Sequence, residues 1–218
     1  MKHTLLLLTC LLGMTACQHT NVHYVVKDIA EQPVDTSYYS QERIVLPAFT
    51  AVEINCFADV TYHLCAASTP PSVRILAPQK MLKLYSAHVD DEGTMVLTMN
   101  TRTGLSDQAV PVIHIYAPTV NAFELNGGKC LRLGALQLHS PLQVKLNGVG
   151  VITSQELKAT SVEVELNGAG NMELHGIHTT RLKARLNGAG HIKLVGKARE
   201  KHISIDGSGS IDTSELKK

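Results

Sequence analysis

The sequence predicts an all-β protein whose C-terminal part is a parallel β-solenoid with coils of about 20 residues. The motif Leu-Asn-Gly-x-Gly occurs at 146–150, 166–170 and 186–190, and degenerate copies stand at 125–128 and 205–209. The steps between successive markers are 21, 20, 20 and 19 residues, counted over Asn126, Asn147, Asn167, Asn187 and Asp206. A fixed period of this length is typical of a solenoid, because each coil is one structural repeat.

Two short strands are expected in each coil, one on each side of the Asn-Gly step. The positions one and three residues before the marker are apolar, so they share one face of a strand. A second apolar column stands five residues after the marker, at Leu131, Ile152, Met172, Ile192 and Ile211. These columns are the candidate core of the solenoid.

Charges that alternate in sign from coil to coil support this stacking. The position two residues before the marker carries in turn Glu124, Lys145, Glu165 and Arg185. Parallel strands lie about 4.8 Å apart, so stacking in register would place each charge beside an opposite one. Each such pair would contribute about 0.2–1 kcal/mol, and less where it is fully exposed.

The Asn-Gly step marks the corner between the two strands of a coil. Glycine suits a corner that needs a positive φ, and stacked asparagines can form a hydrogen-bonded ladder along the solenoid. The alternative is that the asparagines form a row of ligand donors on one edge. The corner positions are Asn126, Asn147, Gly148, Gly150, Asn167, Gly168, Gly170, Asn187, Gly188, Gly190, Asp206, Gly207 and Gly209.

The chain divides into a signal segment (1–16), a lipidated cysteine with a polar tether (17–43) and a β-solenoid domain (44–216). Residues 44–120 are expected to form strands separated by turns, and residues 121–216 hold the repeat. The candidate strands before the repeat are 52–54, 60–64, 72–76, 81–85, 94–99 and 110–117. No segment has a clear helical period.

Residues 1–16 resemble a bacterial lipoprotein signal. Lys2 precedes an apolar core that is too short to span a bilayer, and Met14-Thr15-Ala16 lead directly to Cys17. The resemblance implies cleavage before Cys17 and attachment of acyl chains that anchor the protein in a membrane. Gln18 stands where inner-membrane lipoproteins tend to carry Asp, so the resemblance points to the outer membrane. The alternative is an ordinary secretory signal that leaves Cys17 a free thiol.

Three further cysteines follow Cys17 in the chain. Cys56 and Cys65 flank a turn-like Ala58-Asp59 and are the candidate disulfide, which an oxidising compartment permits. Cys130 is then left over, next to the apolar position of its coil. It is interpreted as a buried thiol, with a reactive nucleophile as the alternative.

The order of these segments resembles a family of bacterial adhesins with a head GIN domain. The resemblance rests on residues 48–54, the strands at 60–64 and 73–76, the stretch 116–120 that leads into the repeat, and the Asn-Gly-x-Gly units that follow. The family more often has Ser where this chain has Asn. The resemblance covers about residues 44–216 and implies a right-handed β-helix-like body, secreted or lipid-anchored in the envelope, with no catalytic residues to assign.

The charge balance argues against a nucleic-acid partner. Lys2 is the only Lys, Arg, Asp or Glu within residues 1–16, so the processed chain would carry 19 basic and 19 acidic residues, with no basic run. No cofactor and no catalytic residue is predicted. His175, His178 and His191 are the best metal candidates, but turn or surface positions are favoured because no Cys or carboxylate cluster has suitable spacing.

Three functions are compatible with the sequence. The first is a non-catalytic envelope lipoprotein, attached to the membrane at Cys17, whose solenoid surface binds a glycan or a surface protein. The second is a structural or stress-related envelope lipoprotein without an external ligand. The third is a polysaccharide-active β-helix enzyme, which is disfavoured because the chain has no Trp and its charges are dispersed.

Overall fold

The computed structural model describes residues 33–100 and 109–218, and its strands form one 16-stranded sheet that winds into a solenoid. The described residues include one short helix, α1 (Gln79–Leu82). The strands are β1 (Ser40–Val45), β2 (Ala51–Asn55), β3 (Asp59–Leu64), β4 (Ser72–Ala77), β5 (Tyr85–Val89), β6 (Thr94–Met99), β7 (Val112–Ala117), β8 (Ala122–Asn126), β9 (Cys130–Gln137), β10 (Leu142–Gly148), β11 (Val151–Lys158), β12 (Ser161–Gly168), β13 (Asn171–Gly188), β14 (His191–Gly207), β15 (Ser210–Asp212) and β16 (Leu216–Lys217).

The repeat stacks coil on coil, in parallel and in register. On one side β8, β10, β12 and the second half of β13 are neighbours, so that Asn147 lies opposite both Asn126 and Asn167. On the other side β9, β11 and the first half of β13 are neighbours, and Ile152 lies opposite both Leu131 and Met172. The predicted all-β solenoid with coils of about 20 residues is therefore confirmed.

The inward columns form the core between the two sides. Leu125, Leu146, Leu166 and Leu186 are each 0% exposed. Burial of one such side chain contributes about 1.5–3 kcal/mol, so these columns supply much of the stabilisation of each coil. The next member of the column, Ile205, is 47% exposed, because no further coil among the described strands covers this part of β14.

The corners require glycine because neighbouring coils approach each other through their backbones. Gly168 has φ +138° and Gly188 has φ +137°. A Cβ atom on Gly188 would stand 2.2 Å from the carbonyl oxygen of Gly168, far inside van der Waals contact. The repeated glycine thus permits the stacking distance between coils, in addition to the turn itself.

The order of the coils in space differs from their order in the chain. Strands β2 and β3 stack in parallel on β8 and β9, although about 55 residues separate the two pairs. The intervening chain makes an outer coil, in which β6 pairs with β2 and β7 pairs with β3. Residues 51–64 therefore form a coil of the solenoid, which the sequence did not reveal because they lack the Gly-x-Gly of the repeat.

Antiparallel strands close the N-terminal end of the solenoid. Strand β4 pairs with β7, β1 pairs with β4, and β5 pairs with β6. Strand β1 begins at Ser40, so ordered pairing starts four residues before the expected domain boundary at 44. Among the described residues, no helix is long and apolar enough to cross a membrane.

The strand expected at 81–85 is wrong. Residues 79–82 form α1 instead, and the following strand begins only at Tyr85. Pro78 precedes the helix, and its carbonyl accepts a hydrogen bond from the Met81 amide at 2.7 Å. Met81 and Leu82 are adjacent and both buried, which a helical turn allows and the alternating faces of a strand disfavour.

A pair of alanine substitutions tests whether stacking distance, rather than turn conformation alone, requires glycine. Gly188→Ala should lower the free energy of unfolding by about 2–5 kcal/mol, because backbone strain and a collision with Gly168 of the preceding coil add together. Gly127→Ala is the control, since Gly127 also has a positive φ (+72°) but has open space where its Cβ would lie. It should cost only about 1–2 kcal/mol. Equal losses in urea unfolding would contradict the stacking argument.

Candidate functional site

An asparagine ladder runs along the corner of the solenoid. Each Nδ2 donates to the Oδ1 of the preceding coil, at 2.7 Å from Asn147 to Asn126, 2.8 Å from Asn167 to Asn147 and 2.7 Å from Asn187 to Asn167. The ladder begins one coil earlier than the motif, because Asn126 donates to Asn55 at 2.8 Å. Asn55 does not match the Asn-Gly motif of the repeat, because Cys56 rather than Gly follows it.

The side-chain N–H groups of the ladder are already used in hydrogen bonds within the protein. The same amide groups also donate to glutamates, from Asn147 to Glu124 at 2.9 Å and from Asn167 to Glu165 at 3.2 Å. Asp206 lies opposite Asn187, but a carboxylate has no N–H with which to continue the series. These contacts favour an internal structural role for the asparagines over a row of ligand donors.

The charged residues two positions before each corner asparagine lie opposite residues of the other sign in neighbouring strands, as predicted. Lys145 is opposite both Glu124 and Glu165, and Glu165 is opposite Arg185. A direct ion pair forms one column away, where Lys183 Nζ is 2.8 Å from Glu163 Oε1. That hydrogen bond lowers the pKa of Glu163.

The expected disulfide between Cys56 and Cys65 is absent from the structure, in which both cysteines are free. The two cysteines lie beyond opposite ends of β3, whose six residues rise about 3.3 Å each, and no turn brings them together. A disulfide needs Cα atoms within about 7 Å of each other. Burial raises the pKa of Cys56 to about 12, and Cys130 is also buried, so both are poor nucleophiles. Cys17 and residues 1–16 lie outside the described residues.

A buried ion cluster joins β3 to the start of the repeat. The Asp59 carboxylate accepts hydrogen bonds from both terminal nitrogens of Arg132, and its Oδ2 is 3.4 Å from Lys129 Nζ. Asp59 is 6% exposed and Lys129 is 7% exposed. The hydrogen bonds to Asp59 raise the pKa of Arg132. The two cations share one carboxylate, and their contacts with Asp59 join β3 to β9 and to the residue before it.

The richest surface chemistry lies on the outer face of β4, β7 and β3, in a group of side chains that we call the histidine–tyrosine patch (His63, Arg74, His114 and Tyr116). The His63 ring stacks on Tyr116 with centroids 4.7 Å apart and planes at 14°. The Arg74 guanidinium lies 5.6 Å from the centre of the Tyr116 ring. Strands β3 and β4 flank β7, so His63 and Arg74 approach Tyr116 from opposite sides.

A hydrogen bond joins the two imidazoles of the patch. His63 Nε2 is 2.9 Å from His114 Nδ1, so one ring donates and the other accepts. Burial is the main cause that lowers the pKa of both His63 and His114, and Arg74 adds to it. At neutral pH the rings are therefore uncharged, and the positive charge of the patch resides on Arg74. In the next strand of the sheet, exposed Arg43 lies opposite Arg74.

Sequence reasoning missed this patch. These residues stand beside buried side chains in an ordinary strand pattern, as Arg74 does between Val73 and Ile75. The patch forms only because β7 inserts between β3 and β4, and no local signal announces that order. The alternation did indicate that these side chains face outward, but not which side chains they would meet.

Of the histidines considered as metal ligands, His191 has a side-chain hydrogen bond, with its Nδ1 2.8 Å from Ser210 Oγ. The backbone N–H of His175 donates to Ser154 Oγ at 3.1 Å. His178 lies opposite Lys158 and Lys197 in neighbouring strands. Within residues 33–100 and 109–218, no group of three or more His, Cys, Asp or Glu side chains is arranged to hold a metal ion.

Residues 48–218 match the family described as "Putative auto-transporter adhesin, head GIN domain", and the chain belongs to that family. A comparison with curated proteins gives no match. Similar solved structures include a putative adhesin from Bacteroides fragilis, at 16% identity and TM-score 0.44 over 86% of this chain and 100% of that one. A putative lipid binding protein from Parabacteroides distasonis is 13% identical, with TM-score 0.43 over 84% and 97% of the two chains. A putative cell adhesion protein from Clostridium sporogenes is 10% identical, with TM-score 0.41 over 82% and 99%.

The half-buried imidazole pair should make the fold less stable in mild acid. An unfolded histidine takes up its proton near pH 6.5, whereas His63 and His114 have lowered pKa values in the folded state. Below about pH 6.5 the unfolded chain therefore binds more protons than the folded chain. The free energy of unfolding then decreases as the pH is lowered. Replacing both residues with Gln should flatten this decline in urea unfolding between about pH 7.5 and 5.5. His88→Gln, at an exposed position, is the control, and an unchanged slope in the double variant would contradict the argument.

Proposed function

We propose that this member of the head GIN domain family is a non-catalytic binding module of the cell envelope. In this proposal it is a lipoprotein adhesin, anchored in the outer membrane through acyl chains on Cys17, and its solenoid presents a binding surface to an external glycan. The observation that carries the proposal is the histidine–tyrosine patch, which gathers an arginine, two imidazoles and a phenol on one outer face.

The patch suits a ligand rich in hydrogen-bond acceptors. Both sides of the Tyr116 ring are occupied by His63 and Arg74, so the patch offers ring edges and N–H donors rather than an open aromatic platform. The positive charge of the patch itself comes from Arg74 and its neighbour Arg43, because the imidazoles are neutral. Guanidinium groups bind carboxylate and sulfate groups well, since their N–H donors match a pair of oxygens. We therefore propose an acidic glycan as the ligand.

The scaffold supports the patch with little freedom of movement. His63 and Tyr116 occupy neighbouring parallel strands, and the side chains beneath them, including Val60, Tyr62 and Ile115, are at most 1% exposed. The Tyr62 hydroxyl donates to the Ala117 carbonyl at 2.8 Å, which ties the end of β7 to β3. A surface built on rigid strands loses little conformational entropy when it binds, which favours recognition.

The test for the ligand compares two arginine substitutions in the full chain. Arg74→Gln should weaken binding to carboxylated or sulfated glycans on an array by about tenfold or more, which is the loss of about 1.4 kcal/mol. Arg199→Gln removes the same charge from an exposed position on β14 and should leave binding unchanged. Equal losses in the two variants, or no binding of acidic glycans by the wild type, would contradict the proposed ligand.

The test for location compares the wild type with Cys17→Ser in intact cells. The wild type should fractionate with the outer membrane and be digested by external protease, whereas Cys17→Ser should leave the membrane fraction. A membrane-bound protein that is protected from protease would face the periplasm. That result would contradict adhesion and favour a structural or stress-related role in the envelope.

A further inference from the structure

The C-terminal end of the solenoid has an open sheet edge. In residues 33–100 and 109–218, the N-terminal part of β14 is covered by β15 and β16, which pair with residues 191–193 and 196–197. Among the described strands, the rest of β14, from Ala198 to Gly207, pairs with β13 alone, and so on one side only. An edge strand of this length exposes backbone N–H and C=O groups that can pair with another strand.

Two apolar side chains of the core column stand at this edge. Ile203 lies next to Ala184 and Ile205 lies next to Leu186, and both of these neighbours are 0% exposed. Ile203 itself is 38% exposed and Ile205 is 47% exposed. They belong to the inward face by register, so only another strand along β14 would bury them as the earlier coils bury their leucines.

We propose that two copies of this chain pair through this edge, antiparallel and with a two-fold axis at Ser204. A two-fold axis there places Ile203 of one copy opposite Ile205 of the other, on the inward face of both. On the outward face it places His202 opposite Asp206, and Ser204 opposite itself. The inward columns of the two copies then join into one apolar core.

The pattern of β14 is self-complementary in this register. Apolar residues meet apolar residues, and each imidazole meets a carboxylate that can accept its N–H. A shift by two residues, with the axis at Ile203, would leave Glu200 opposite Asp206 and so place like charges together. The charged residues Arg199 to Lys201 lie outside the central contact. Because the two-fold contact closes on itself, it gives a dimer rather than a fibre.

Cysteine cross-linking of the full chain, expressed in cells and held in its membrane, tests the axis directly. Opposite residues of an antiparallel pair have Cα atoms about 4.5–5.5 Å apart, which a disulfide can bridge. Ser204→Cys should therefore give a covalent dimer on a non-reducing gel after mild oxidation. Ser208→Cys is the matched control, because it would face Glu200 of the other copy, and it should give no more dimer than the parent chain. Absence of the Ser204→Cys dimer, or equal yields from both variants, would overturn the proposal.

A charge exchange tests the register independently. In the Ser204→Cys background, His202→Asp would place two carboxylates opposite each other on both sides of the axis, and the dimer yield should fall by about tenfold. Adding Asp206→His exchanges the two partners and should restore the yield. All of these positions are exposed, so the variants should keep the fold. No loss with His202→Asp, or a loss that Asp206→His does not repair, would overturn the register.

Discussion

The structure depends on one constraint, which is that each coil must repeat the backbone path of the coil before it. The glycine corners permit this, because the carbonyl oxygen of Gly168 occupies the space in which Gly188 would carry a Cβ atom. Once the corners stack, the asparagine ladder and the inward leucine columns follow at the same spacing. The outer charges then fall beside opposite charges without any further adjustment, as for Lys145 between Glu124 and Glu165.

The repeat could be predicted from the sequence because each coil carries the same short motif, and the motif occurs several times. The period, the apolar columns and the corner each recur, so a degenerate copy of the motif does not obscure the pattern. The pairing of strands that are distant in the chain could not be predicted in this way. The stacking of β2 on β8, and of β6 on β2, pairs segments that are distant in the chain, and residues 51–64 do not carry the motif of the repeat. The expected Cys56–Cys65 disulfide is absent for a related reason, since the whole extended strand β3 lies between the two cysteines.

The candidate site belongs to this unpredicted part of the fold. Its side chains come from β3, β4 and β7, which meet only in the N-terminal coils, where antiparallel strands join the parallel stack. The repeat is the more regular part of the molecule, but its asparagine donors are already bonded within the ladder. The two halves therefore have separate tasks in our account. The repeat supplies a rigid body, and the N-terminal coils carry the distinctive surface.

The most direct test of the central claim is a double-mutant cycle across two stacked coils. Glu165 and Arg185 are 20 positions apart in the chain and opposite each other in the sheet. Glu165→Lys alone should destabilise the protein by about 0.5–2 kcal/mol, because it places three positive charges in a row. Adding Arg185→Glu should recover part of that loss, which gives a coupling energy of at least about 0.3–0.5 kcal/mol in urea unfolding. Additive effects of the two substitutions would contradict coil-on-coil stacking in this register.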